Sequence, residues 1–150
     1  MDLTAEQVIE LTLKPGAIYK YPDPENLNKN PEAHYHILLN NAPETDQLLI
    51  FVFVSSKVEQ AKKRAKQRGQ AQTTLVELKK KKHKFLIKNS IVDCNNIALI
   101  DKKTIINKYN DGKFELEKEI DALTLNELRK AFLLSDNHDN AQKRIIDEKI

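Results

Sequence analysis

Hydrophobic positions in this chain come in short groups, and the longest unbroken one, residues 48–54 (LLIFVFV), is bounded by Asp46-Gln47 and Ser55-Ser56. Seven apolar residues rich in Ile, Val and Phe, too few for a helix of ordinary length, predict a strand buried on both faces. It is the most apolar window in the chain, so the core is expected to form around it. Upstream, Thr4 and Gln7 have capping-box spacing ahead of Val8, Ile9 and Leu11, which predicts a short helix stopped at Pro15-Gly16. A strand is expected over residues 17–21, with Ile18 on one face and Tyr19 and Tyr21 on the other. Residues 22–31 hold three prolines and four Asn/Asp without periodicity and read as a loop. Residues 34–40 (HYHILLN) read as a second strand, with His34 and His36 sharing a face, paired antiparallel with residues 48–54 across a short turn.

Downstream, Ser56 and Glu59 suggest a second capping box opening a helix over residues 58–68 that ends at Gly69. Its few apolar positions (Val58, Ala61, Ala65) imply a surface helix with a thin buried stripe. Strands are expected over 73–78, 89–93 and 97–100, with Cys94-Asn95-Asn96 as a turn between the last two. Asp101 caps a helix over 102–109, and Asn110-Asp111-Gly112 is a turn. A last amphipathic helix starts from Thr124 and Glu127, and a polar tail begins at Asp136. The pattern predicts one domain of class α+β, mainly β. A small curled antiparallel sheet or barrel would occupy about residues 13–109, with peripheral helices and a C-terminal helical extension over about 110–150.

At 150 residues, 40% hydrophobic and 31% charged, the composition is that of an ordinary globular domain. No apolar run approaches the roughly 20 residues that cross a bilayer. The acidic N-terminus lacks the basic region of a secretion signal, and the single cysteine, Cys94, suits a reducing cytoplasm. No Cys/His spacing resembles a zinc site, and no cofactor is expected. Charge changes the picture more. Residues 57–84 carry eleven Lys/Arg against Glu59 and Glu77, a net +9; with +3 over the whole chain, the rest carries −6. A concentrated basic segment on a mildly acidic body is the footprint of a polyanion binder, and equally of a solvated helix face followed by a lysine-rich turn.

Four segments together resemble the MazF/PemK family of toxin ribonucleases from bacterial toxin–antitoxin systems. They are Lys14-Pro15-Gly16-Ala17-Ile18-Tyr19, residues 34–40, residues 51–56, and residues 85–104 (FLIKNSIVDCNNIALIDKKT). The resemblance implies an SH3-like barrel, often a homodimer. It also implies metal-independent cleavage of single-stranded RNA and an acidic antitoxin protein as partner. The family's arginine at the start of the second strand corresponds to His34 here, and its threonine to Ser55. Arginine is always cationic and donates a fork of hydrogen bonds to phosphate, whereas histidine at its ordinary pKa is mostly neutral at pH 7.

Cleavage through the RNA 2′-hydroxyl needs a base, an acid and a donor or cation at the phosphate. The candidate catalytic residues are His34 as base or acid, His36 as a second proton-transfer group, Ser55 as phosphate-positioning donor and Lys57 as charge stabiliser. For RNA binding the candidates are Tyr19 and Tyr21, which would stack on unpaired bases or pack in the barrel, with Ser56, Lys62, Lys63, Arg64, Lys80 and Lys82. The alternative to a divergent endoribonuclease is a non-catalytic RNA- or protein-binding module on the same barrel, using the basic 57–84 segment.

Overall fold

The computed structural model describes residues 3–21, 34–112 and 115–147. In chain order the helices are α1 (Ala5–Thr12), α2 (Val58–Gln67), α3 (Lys102–Asn110), α4 (Ala122–Leu134) and α5 (Asn140–Ile146). The strands are β1 (Ala17–Tyr21), β2 (His34–Leu38), β3 (Leu48–Ser55), β4 (Leu75–Leu78), β5 (Ser90–Asp101) and β6 (Glu115–Glu119). They form one sheet in the order β4-β5-β3-β2-β1-β6. Every adjacent pair is antiparallel. The apolar β3 lies inside the sheet between β5 and β2, where a strand with two buried faces belongs.

The class is α+β, as the pattern predicts, with helices on the periphery and at the C-terminal end. The sheet is open rather than a closed SH3-like barrel, and helix contributes at least as much of the chain as strand. Among the described residues each edge strand has one strand neighbour. β4 is only four residues long, and β6 reads ELEKE, a charged sequence suited to a solvated edge. β6 also pairs with β1, so the sheet extends past residue 109, into what the hydrophobic pattern assigns to a helical extension.

Alternation along the strands sorts the core into two layers. Ile18, Ile37, Ile50, Val52, Val92 and Cys94 face Leu125, Leu128, Phe132 and Ile146 from α4 and α5. Tyr19, Leu38, Leu49 and Phe51 face Ile9 of α1 and Ile105 of α3. Two polar side chains fix how these layers meet the strand ends. Asn40 is fully buried after β2; its Oδ1 accepts from Ile50 N at 2.7 Å, and its Nδ2 donates to Asp46 Oδ2 and Leu48 O. Arg129 of α4 donates from Nε to Leu39 O and from Nη2 to Asn40 O, both at 3.0 Å.

The Cys94-Asn95-Asn96 turn does not form. β5 is one continuous strand carrying a wide bulge: the step from Val52 to Val54 on β3 spans Ile97 to Val92 on β5. Asp93 Oδ1 accepts from Asn95 N and Nδ2, and Oδ2 from Asn96 Nδ2, so the extra residues satisfy one another locally. Helix starts also shift. Thr4 and Gln7 form the expected reciprocal capping box on α1. On α2, however, the N-cap is Lys57, without a side-chain cap, and Ser56 is exposed. α4 starts three residues earlier than Thr124, at an Asp121 cap that accepts from Thr124 N and Oγ1.

Candidate functional site

The basic segment folds into three consecutive pieces: α2, β4 and the turn that follows. α2 buries only Ala61 and Ala65, spaced i, i+4, and turns Lys63, Arg64 and Lys66 to solvent. Arg64 and Lys66 lie in its last turn, where cations complement the helix dipole. The helix closes in a Schellman arrangement, with Gln70 N donating to Ala65 O and Gly69 N to Lys66 O. Gly69 takes the positive φ of 69° that this closure requires.

The chain then returns along β4, where Val76 and Leu78 are buried and Glu77, between them, faces out. Glu77 meets Lys62 of α2 at 2.5 Å and Lys79, at the start of the turn, at 3.6 Å. The Lys62 hydrogen bond holds the Glu77 carboxyl below the ordinary carboxylate range, and Glu77 in return raises the Lys62 ammonium. One carboxylate therefore joins the helix lysines to the turn lysines. The turn itself is well tied: Lys80 N donates to Asn89 Oδ1 at 2.9 Å, and His83 N to Lys79 O. His83 Nδ1 lies 3.8 Å from Asp121 Oδ1 at the start of α4, and Phe85 packs edge-on against Tyr35. Lys80 and Lys82 remain exposed.

Between α2 and the return toward β4 lies an open groove of about 670 Å³. Lys62, Lys63 and Lys66 line it with Glu59, and past the helix end Gly69, Gln70 and Gln72 complete it. Three ammonium groups and two amides around an open groove can hold phosphate oxygens; among the lining residues none is apolar and bulky enough to hold a base.

The expected catalytic set is only partly gathered. β2 begins at His34, and the register that places His36 opposite Phe53 runs toward the end of β3. Across β1, His34 pairs with Tyr21, and on the other flank Ser55 pairs with Ile91. The backbones at 21, 34 and 55 thus meet at one end of the sheet; the side chains of Tyr21 and His34 lie outside the described residues, as does the 22–31 loop. Ser55 Oγ accepts from Lys57 N at 3.1 Å, which shapes the entry to α2. Lys57 is exposed.

Two expectations are corrected. His36 is 1% exposed, with its ring 4.8 Å from that of Phe53 and 6.4 Å from that of Phe51, so it is a core side chain and not a proton-transfer group facing substrate. Tyr19 is equally buried; its hydroxyl donates to Thr12 O at 3.1 Å, and burial pushes that hydroxyl up to about 12, so it is not a stacking platform. Conversely, Lys66, Gln70, Gln72 and Glu77 join the site without having stood out in the sequence. The i, i+4 spacing of Lys62 and Lys66, one residue after the buried alanines, is the signal that marks the first of them. The glutamines and Glu77 become legible only when β4 folds back beside α2.

Among the described residues no group of three or more His, Cys, Asp or Glu is placed to hold a metal ion. No helix among them is long and apolar enough to cross a membrane. No protein-family model matches the sequence, and no curated protein does.

Proposed function

We propose that this chain binds nucleic acid through the basic surface of α2, β4 and the lysine turn, without cutting it. The observation that carries the reading is the Lys62–Glu77–Lys79 junction, which joins the +9 segment into one surface beside a lysine-lined groove. A loose lysine tract would have no such organisation. Charge of this kind supplies affinity by releasing counterions from phosphates, so binding weakens steeply with salt. The lone buried thiol Cys94 is in keeping with a cytoplasmic setting for that role.

The second reading is a divergent MazF/PemK-like endoribonuclease, dimeric and held by an acidic antitoxin. It draws support from the meeting of the Tyr21, His34 and Ser55 backbones at one end of the sheet, with Lys57 N bonded to Ser55 Oγ. The burial of His36 and the engagement of Ser55 Oγ by Lys57 N favour binding without catalysis.

One experiment separates the two. Labelled RNA is titrated with the protein from 50 to 200 mM salt, and the same mixtures are held in excess EDTA and examined for cleavage, beside His34→Ala and Ser55→Ala. Binding that falls by at least tenfold over this range, with intact RNA, is the expected outcome. Cleavage in EDTA that both substitutions abolish would establish the ribonuclease instead. Affinity indifferent to salt would remove the polyanion reading altogether.

A further inference from the structure

We infer that the α2 groove takes a double-helical nucleic acid by its phosphate backbone alone, with no readout of bases; this rests on the nucleic-acid reading above and names its ligand. Proteins that hold single strands place aromatic rings where unpaired bases can stack, in addition to a basic track. Among the described side chains, which do not include that of Tyr21, no aromatic one is exposed: Tyr19, Phe51 and Phe132 are buried, and Tyr35, Phe53, Phe85 and Tyr109 are half-buried. Tyr35, the ring closest to serving as a platform, already has Phe85 against its edge at 5.1 Å and Lys20 Nζ over it at 5.8 Å. The groove offers three ammonium groups, two amides and the Glu59 carboxylate, and no ring.

A site that sees nothing but phosphate is governed by charge density. The ten residues of α2 extend about 15 Å. Alongside that length a duplex presents about nine phosphates, at one charge per ~1.7 Å, whereas one strand of it presents about half as many. Lys62, Lys63, Arg64 and Lys66 are concentrated on that one helix, with Lys57 at its start and Arg68 at its end, so the denser ligand neutralises more of them at once. Glutamines 70 and 72 at the rim add hydrogen-bond donors that any phosphate or ribose oxygen satisfies, and no base edge is needed.

The test uses the full chain and four probes of equal length: duplex RNA, duplex DNA and the two single strands of the RNA, followed by anisotropy at 100 mM salt. Both duplexes are expected to bind within about threefold of each other and at least fivefold more tightly than either strand. A second duplex of unrelated sequence is expected to bind equally. The Lys62→Gln/Lys63→Gln/Lys66→Gln variant, whose changes lie on an exposed helix face and leave the melting temperature as a check of folding, is expected to lose at least tenfold on the duplexes. Single strands bound as tightly as duplexes, a preference among base sequences, or a tenfold gap between RNA and DNA duplexes would overturn phosphate-only duplex binding while leaving nucleic-acid binding intact. Undiminished duplex affinity in the triple variant would remove the groove as the site. Failure of every probe to bind in a salt-dependent way would overturn the broader reading with it.

Discussion

Single polar side chains decide how this fold closes. Asn40 is the clearest: it has no exposed surface and bonds Ile50 N, Leu48 O and Asp46 Oδ2, the two ends and the body of the β2–β3 connection. Asn40→Ala would leave the Ile50 N–H buried without a partner, at about 1–3 kcal/mol, and would remove the bonds to Leu48 O and Asp46 Oδ2 as well. A loss of about 3 kcal/mol in urea unfolding is expected, with an unchanged slope against denaturant; a loss under 1 kcal/mol would show that water replaces the amide. His138 offers a pH-dependent counterpart. It is buried, stacked at 4.1 Å on Phe132, and its Nε2 lies 2.7 Å from Cys94 O, an acceptor, so Nε2–H donates and Nδ1 is bare. Burial lowers its pKa below the ordinary value, more than the Cys94 carbonyl raises it; Lys143 opposes protonation, and Asp139 and Asp93 favour it. Because the unfolded chain binds that proton more readily, the neutral imidazole contributes stability that is complete above about pH 6.5 and is lost as pH falls through the lower folded value. Melting of the wild type against His138→Gln from pH 7.5 to 5 should show the gap between them narrowing with acid, by no more than about 1.4 kcal/mol per pH unit. A gap independent of pH would mean that His138 binds its proton equally well in the folded and the unfolded chain.

At the scale of elements, the same interactions explain what the sequence does and does not reveal. β1, β2, β3, α1 and α3 are legible because each carries its own signal: an apolar alternation, a capping box or the Asp101 cap. β6 is not, since ELEKE has no hydrophobic face and becomes a strand only because β1 offers it an edge. The β5 bulge is equally hidden. Asn95 joins Thr74 Oγ1 and Ser135 Oγ, residues 21 and 40 positions away, and those distant bonds keep a turn-like Cys-Asn-Asn inside a strand. The candidate site divides along the same line. The α2 lysines stand out as a run, whereas Glu77 gains its role from tertiary pairing. Gly16 is a further case where an element boundary rests on backbone geometry. It holds φ at 82°, donates to Leu38 O and accepts from Ile120 N, and a Cβ there would sit 3.0 Å from Ile120 Cγ2. Gly16→Ala combines left-handed strain of about 1–2 kcal/mol with that contact, so a loss of at least 2 kcal/mol is expected on denaturant unfolding. A neutral result would mean that the β1 entry relaxes freely.

For the whole molecule, the order of strands determines which charges act together. β4 and β6 are the two edges of the sheet, five strand spacings apart, or about 24 Å along it at ~4.8 Å each. At 150 mM salt the screening length is about 8 Å, so a charge on β6 is nearly invisible to a ligand on the α2–β4 surface, whereas Glu77 lies within it. Glu77→Gln and Glu115→Gln remove the same charge from the same net total, one at each edge. On nucleic-acid binding at 150 mM salt, Glu77→Gln is expected to tighten affinity severalfold and to steepen the dependence of log K on log salt by up to about one unit, because Lys62 and Lys79 are released to phosphate. Glu115→Gln is expected to change neither. At 10 mM salt, where the screening length reaches about 30 Å, the Glu115 effect should emerge and approach that of Glu77. Equal effects of the two substitutions at 150 mM would mean that net charge alone governs binding and that the paired lysines around Glu77 are not where the ligand sits.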